Sequence, residues 1–245
     1  MWGDDMKATL NRQLFTQRVF DSGSLGALES VIHQFKRPGT YQVEVRRAGS
    51  VVRNDSFVVT EQGATQLDVD LSAPGHEHSS DCTCHDTEKE QAVSPTGYVL
   101  FHATRGGGYS VRVSQAHDKD AEFDSERLKD GDLFALCLLE PTQYAMTDRL
   151  GPGKGDITVS FAEKNAKQLR NLQTTYVDVT ADGFKPAKVT AISTQGIVFR
   201  ILGTARIVIE KSEPASKEKE RPVLRRGKNS PAGPQPKLRA KRPKA

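Results

Sequence analysis

Alternation of apolar and polar residues with period two is the feature that most constrains how this chain folds. Apolar side chains occupy every second position over 41–45, directly after the turn sequence at 37–40, and again over 67–71. Successive side chains of a β-strand point to opposite faces of its sheet, so this period is typical of a strand with one buried face. The pattern therefore predicts a mainly β, antiparallel protein.

The same alternation, bounded by Gly, Pro and Asp, recurs along the chain. The predicted strands cover 41–47, 97–102, 109–114, 133–139, 155–161 and 196–209, and the last range contains two strands, at 197–201 and 205–209. The side chains expected in the core are Val43, Val45, Leu100, Val111, Val113, Leu136, Val159, Val198 and Ile207. Residues 4–35 are ambiguous, because apolar residues recur over 25–35 at helical spacing after Ser24, a candidate N-cap.

Turn residues and composition divide the chain into four segments. Many short strands with Gly/Pro/Asp turns between them favour one or two antiparallel β-sandwich domains. We therefore expect a small β-rich domain over 1–71, a His/Cys-rich linker loop over 72–95, a β-sandwich domain over 96–210 and a disordered basic tail over 211–245.

Three short segments resemble known β modules. The run 31–43, which includes Arg37-Pro38-Gly39-Thr40-Tyr41, resembles the strand-turn-strand signature of PKD-type immunoglobulin-like modules. Glu140-Pro141-Thr142-Gln143-Tyr144 with 155–159 resembles the closing strands of cupredoxin-like sandwiches, and 184–186 resembles an early cupredoxin strand. The resemblance implies an Ig/cupredoxin-like sandwich without blue-copper ligands. Leu138, Leu139 and Glu140 follow Cys137, which is interpreted as a core residue.

A cluster of metal-binding residue types lies in the middle of the chain. Thiolate and imidazole groups together suit Zn(II), Ni(II) or copper, and four of them could close a tetrahedral site. The alternative is a polar linker that binds metal only adventitiously, since Cys-x-Cys on one short loop is not zinc-finger spacing. The candidate ligands are His76, His78, Cys82, Cys84 and His85.

The charge of the chain is distributed unevenly. The overall net charge is +4, but residues 211–245 contain 12 Lys/Arg and 3 Asp/Glu, so the rest of the chain is acidic. A segment with so few apolar residues cannot bury enough surface to fold, and its cations could neutralise phosphates irrespective of sequence. The tail is expected to contact a polyanion or an acidic protein, or else to act only as a solubilising tether.

The sequence lacks the common catalytic motifs. It contains no Gly-x-Ser-x-Gly elbow, and the glycines at 106–108 and 151–155 are interpreted as turns rather than phosphate loops. The preferred function is a non-enzymatic metal-binding or interaction scaffold. The alternative is a metal-dependent enzyme, or the accessory subunit of one, with the His/Cys loop as metal centre.

The location of the protein is inferred from its N-terminus and its hydropathy. The acidic start and the lack of a long apolar run indicate a cytoplasmic protein with no membrane span. A signal peptide removed by processing leaves a periplasmic or secreted location open.

Overall fold

The computed structural model describes residues 12–74, 91–118, 120–162 and 172–212. These residues belong to one compact unit and are mainly β. They contain no α-helix, only a short 3₁₀ helix at Arg12–Phe15. None of their helical structure is long and apolar enough to cross a membrane. The tail from 213 onward and its predicted disorder lie outside the described residues.

Fifteen strands are described, and we give them in chain order. The first six are β1 (Val19–Asp21), β2 (Glu29–His33), β3 (Gly39–Arg47), β4 (Ser50–Asp70), β5 (Ala92–His102) and β6 (Tyr109–Gln115). The next five are β7 (Ala121–Asp124), β8 (Leu133–Cys137), β9 (Gln143–Asp148), β10 (Lys154–Ser160) and β11 (Thr175–Thr180). The last four are β12 (Gly183–Lys185), β13 (Lys188–Ile192), β14 (Gly196–Ile201) and β15 (Ile207–Lys211).

The strands form two sheets. Sheet A has the order β1-β15-β9-β10-β13, and sheet B has the order β12-β11-β14-β8-β2-β5-β4-β3-β6-β7. Neighbours are antiparallel except in the pairs β4–β5, β10–β13 and β11–β14. Strands from both predicted domains, 1–71 and 96–210, lie in sheet B, where β2 pairs with β5 and with β8.

Both sheets contribute to a single hydrophobic core. Aromatic rings form its centre: Tyr41 stacks on Phe57 with centroids 5.4 Å apart, and Phe101 stacks on Phe123 at 5.3 Å. Seven of the nine predicted core side chains are buried. Leu100 and Val198 were assigned to the wrong face, because Val99 and Phe101, and likewise Ile197 and Phe199, occupy the core instead.

Most predicted strands are confirmed, and the stretch at 196–209 forms two strands, β14 and β15, at the places predicted by 197–201 and 205–209. Two other interpretations are corrected. The helical spacing at 24–35 is misleading, since β2 lies there between two partner strands. Cys137 is half-buried and lies on the face of β8 opposite the buried Phe134 and Leu136, so its interpretation as a core residue is wrong.

The chain contains an internal repeat. Phe20-Asp21-Ser22-x-x-Leu25 recurs 103 positions later as Phe123-Asp124-Ser125-x-x-Leu128, and Pro38-x-x-Tyr41 recurs at the same interval as Pro141-x-x-Tyr144. Both tyrosines are buried, and each hydroxyl donates to the carbonyl oxygen four residues upstream. We name residues 19–115 repeat 1 and residues 121–211 repeat 2.

The strand registers of the two repeats correspond. Val31 of β2 lies opposite Phe101, and Phe134 of β8 lies opposite Phe199. The same holds for the parallel pairs, because Val69 lies opposite Phe101 just as Val177 lies opposite Phe199. The isolated bridges are equivalent too, joining Leu25 to Tyr109 and Leu128 to Ala205. The repeats therefore share a strand arrangement as well as short sequence motifs.

A pseudo-two-fold axis relates the repeats. The equivalent strands β2 and β8 pair antiparallel with the equivalent residues Val31 and Phe134 opposite each other, which places the axis between them. The first strands are exchanged across this axis, because β7 pairs with β6 while β1 pairs with β15. The equivalent serines also make equivalent hydrogen bonds. Ser125 Oγ accepts from the Val111 N–H, and Ser22 Oγ accepts from the Ile207 N–H.

Candidate metal-binding loop and its anchor

The five candidate metal ligands lie on the connection between β4 and β5. His76, His78, Cys82, Cys84 and His85 belong to residues 75–90, which lie outside the described residues and which we name the Cys/His loop. The structure does describe the two ends of this loop. The residues before it follow β4 up to Pro74, and the residues after it begin with Gln91, which directly precedes β5.

Asp70 organises the chain just before the loop. Its Oδ1 accepts hydrogen bonds from the Ser72 N–H (2.9 Å) and hydroxyl (2.7 Å), and its Oδ2 accepts one from the Thr104 hydroxyl (2.6 Å). Burial alone raises the pKa of Asp70, but the hydrogen bonds from Thr104 and Ser72 together outweigh it and hold that pKa well below its usual range. The carboxylate therefore stays ionised and ties the end of β4 to Thr104, two residues beyond the end of β5.

Arg53 holds the same segment from the first half of β4. Its side chain is only 9% exposed, and Nη1 donates to the Ala73 carbonyl (2.5 Å) while Nη2 donates to the Asp70 carbonyl (2.9 Å). Asp55 accepts from Nε at 2.7 Å and balances the charge. The guanidinium therefore fixes the backbone on both sides of Ser72.

The far end of the loop is attached to the same strand. The Val58 N–H donates to the Gln91 carbonyl at 2.9 Å, and Val58 lies opposite Ala92 in the parallel pair of β4 and β5. Arg53 and Val58 are five residues apart, which corresponds to about 16 Å along a strand. Both ends of the Cys/His loop are thus bound to one rigid element.

Repeat 2 shows what this connection looks like without the loop. Ser72 and Ala92 are equivalent to Thr180 and Thr190 by register. Nineteen residues separate the first pair and nine separate the second, so repeat 1 contains ten extra residues. The shorter connection includes β12, which pairs with β11, and it contains neither Cys nor His.

The anchor residues were not identified from the sequence. These residues are Arg53, Asp70, Ser72 and Thr104. A usable signal was present, because Asp70-Leu71-Ser72 is matched by Asp178-Val179-Thr180 at the equivalent position of repeat 2. Only an alignment of the repeats would have revealed it.

The described part of the chain brings together no three His, Cys, Asp or Glu side chains that could hold a metal. It does contain one close His–Asp pair, in which His33 Nδ1 and Asp132 Oδ1 are 2.5 Å apart. The His33 ring packs on Phe35 and Phe123, and its Nε2 is buried with no hydrogen-bond partner in the described structure. This pair joins the two repeats, since β2 carries His33 and the residue before β8 is Asp132.

Cys137 is the one cysteine inside the described ranges, and its thiol is free. Burial raises the pKa of this thiol, which makes it a poor nucleophile and a poor metal ligand near neutral pH. It therefore provides an internal control for the cysteines of the Cys/His loop.

Comparison with protein-family models, with curated proteins and with solved structures finds no match to this chain.

Proposed function

We propose that the protein is a non-enzymatic metal-binding scaffold in which the Cys/His loop holds a Zn, Ni or Cu ion. The ligands would be drawn from His76, His78, Cys82, Cys84 and His85. One observation carries the proposal: repeat 2 closes the equivalent connection with ten fewer residues and without Cys or His. The fold does not need the extra residues at this position, so their ligand-rich composition has to be explained by something other than packing.

The anchors of the loop are consistent with this role. Fixing both ends of a segment lowers the conformational entropy that it loses when its side chains converge on an ion. The hydrogen bonds of Asp70 and Arg53 fix the first end, and the β4–β5 pair fixes the second. Thiolate ligands also have to deprotonate, so metal affinity should rise with pH.

We further propose that each repeat is an Ig- or cupredoxin-like β-sandwich. Support comes from the bond between each Tyr hydroxyl and a carbonyl four residues upstream, at Tyr41 and Tyr144, which is a tyrosine-corner arrangement. The shared core of sheets A and B is the second support. The blue-copper chemistry of cupredoxins is not part of this proposal, because the type-1 ligands are lacking around Cys137.

The basic tail is proposed to bind a polyanion or an acidic protein. Lys211 belongs to β15, where it pairs with Tyr144, so a truncation that spares the fold has to follow Ser212. The truncated protein should lose retention on heparin at low salt while keeping its β spectrum. Retention equal to that of the full chain would assign the binding to the body.

The metal proposal is tested on protein purified without an affinity tag. We expect about one equivalent of metal by elemental analysis, protection of Cys82 and Cys84 from alkylation at pH 7, and full reactivity after chelation. Cys82→Ser combined with Cys84→Ser should remove the metal. The matched controls Cys137→Ser and His117→Ala should leave it in place.

Two outcomes would contradict the proposal. Metal-free protein whose two loop cysteines alkylate at the rate of a free thiol would reduce the loop to a polar linker. A catalytic activity that disappears on chelation and returns with metal would favour the alternative, a metal-dependent enzyme or its accessory subunit.

A further inference from the structure

A cleft lies next to β1 and β3, at the side of repeat 1, and none of the residues that line it belongs to the Cys/His loop. Its volume is about 530 Å³, within the range of small-molecule sites. The walls are the chain around β1, including Gln17, Ser24 and Gly26, and the loop between β5 and β6, including Gly106, Gly107 and Gly108. Arg47, the last residue of β3, lies between these two walls.

Arg47 brings to the cleft a positive charge that has no ion-pair partner among the described residues. Its guanidinium lies 5.1 Å from the centroid of the Tyr109 ring, and its Nε donates to the Gly107 carbonyl at 3.3 Å. No carboxylate of the described chain lies within ion-pair distance of it, and its two terminal nitrogens donate to no described acceptor. These two contacts orient the side chain, and they leave Nη1 and Nη2 available to bind two oxygens of a ligand.

The acidic groups near the cleft do not neutralise Arg47. Asp21 is occupied by Arg206, whose Nε and Nη2 donate to its two oxygens at 3.0 Å each. Glu29 lies beneath Gly26, whose N–H it accepts at 2.5 Å. Burial raises the pKa of Glu29 to about 8, against three hydrogen bonds that lower it, so this group is mostly neutral at pH 7.

The loop between β5 and β6, which we name the glycine loop, adds backbone hydrogen-bond donors to the cleft. Gly106 and Gly108 have φ values of +68° and +83°, a conformation that glycine adopts without strain. The amide N–H groups of Gly106, Gly107 and Gly108 donate to no acceptor in the described chain. A side chain at Gly107 would meet Gly26 at 3.5 Å, so glycine at this position keeps the cleft open. Free backbone N–H groups in a concave loop favour anions.

Repeat 2 lacks the oriented arginine and the small residues of this arrangement. The residues equivalent to Arg47, Gly26 and Ser24 are Leu150, Lys129 and Arg127, which offer neither the oriented fork nor the open space. The glycine loop is shorter as well, with three residues at 202–204 in place of five at 104–108. The cleft is therefore built from residues at which repeat 1 departs from the shared scaffold.

We propose that this cleft binds a small ligand through an oxyanion group, a carboxylate or a phosphate. The Arg47 fork would bind two of its oxygens, and the N–H groups of residues 106–108 and the Ser24 hydroxyl would donate to the others. The residues that line this cleft do not include the anchor residues Asp70, Ser72 and Arg53, and the proposal does not depend on bound metal.

The test is an amide-resolved NMR titration of the full chain with inorganic phosphate and, separately, with succinate, at constant ionic strength set with sodium chloride. At least one anion should produce saturable shifts of the amides of 106–108. Arg47→Leu, which introduces the residue of repeat 2, should weaken binding by about tenfold or more, as expected for loss of a bidentate charged contact. The matched control Arg105→Leu, on the same loop but outside the cleft, should bind like the wild type.

A second variant covers the case in which Arg47→Leu disturbs the fold. Gly107→Ala retains Arg47 and narrows the cleft, and it should weaken binding while the amide spectrum of β3 stays unchanged. Shifts with phosphate alone would identify a phosphorylated ligand, and shifts with succinate alone a carboxylate. Linear, unsaturated shifts with both anions, or equal affinity of Arg47→Leu and the wild type, would overturn the proposal.

Discussion

The two repeats share one strand plan but differ in how their strands are linked and in what their loops carry. β6 and β7 are joined by a short turn, whereas the equivalent pair, β15 and β1, has no covalent link and brings together residues 19–21 and 208–210. We name the pairing of β1 with β15 the seam, and at the seam Arg206 makes a bidentate ion pair with Asp21. Ser110, the residue equivalent to Arg206, makes no ion pair. An ion pair thus reinforces the junction that lacks a peptide connection.

The same comparison separates scaffold from function. The features present in both repeats, such as the Phe-Asp-Ser motif and the tyrosine-carbonyl bond, all contribute to packing or hydrogen bonding within the fold. The additions unique to repeat 1, the Cys/His loop and the cleft at Arg47, are not needed to complete a sheet. At the connections that carry these two features, the other repeat shows that the strand arrangement forms without them.

The largest effect is expected from truncating equivalent core aromatics. Phe101→Ala and Phe199→Ala should each lower the free energy of unfolding by about 3–5 kcal/mol, since both rings are fully buried. Because the repeats share one core, each variant should still unfold in a single transition, followed in urea by circular dichroism and by tyrosine fluorescence. Two separate transitions would mean that the repeats fold independently.

Asp132 is the residue of repeat 2 that is equivalent to Glu29, and it lies 2.5 Å from His33. Glu29 itself should make the stability of the protein depend on pH. The folded-state pKa is raised from 4.5 to about 8, so the folded protein retains a proton that the unfolded chain releases. The stabilisation is complete below pH 4.5 and is lost as the pH rises toward 8, by on the order of 4 kcal/mol.

Glu29→Gln cannot ionise and should remove this slope from urea denaturation curves measured between pH 4.5 and 8. The matched control is Glu61→Gln, an exposed position on β4, which should keep the wild-type slope. An unchanged slope in Glu29→Gln would assign the pH dependence to other groups.

The same substitution should lower the free energy of unfolding more at the seam than at the hairpin formed by β6 and β7. Asp21→Asn removes a charge-assisted bidentate contact and should cost about 1–2 kcal/mol. Asp124→Asn should cost less than about 0.5 kcal/mol, because the Asn oxygen can still accept from the Glu126 N–H. If chemical denaturation shows the same loss of unfolding free energy for both variants, the ion pair does not stabilise the seam.

The smallest effects are expected at the two tyrosine hydroxyls. Tyr41→Phe and Tyr144→Phe each leave a carbonyl without its donor and should cost about 1 kcal/mol. Tyr41 should lose more, since its hydroxyl also lies 3.1 Å from Glu122. Tyr98→Phe, at a position 47% exposed, is the neutral control in thermal melts. A neutral Tyr144→Phe would remove one support for the sandwich interpretation.

The errors in the sequence-based predictions have a common physical origin. Around Leu100 three consecutive residues are apolar, so period two does not say which of them faces inward, and burial of the larger Phe101 ring decides it. The helical spacing after Ser24 was overridden because β2 pairs on both sides with other strands. In each case a contact with a distant segment outweighed a local pattern.

The sequence by itself determined the positions of most strands, the ligand-rich composition of residues 76–85 and the charge of the tail, because each depends only on neighbouring residues. The tertiary structure decided which first strand pairs with which repeat, where the Cys/His loop is anchored and how the cleft at Arg47 is enclosed. These features rest on contacts between residues far apart in the chain, such as Asp21 and Arg206, which are 185 positions apart. No local period encodes such contacts, since they form only when the two repeats close on each other.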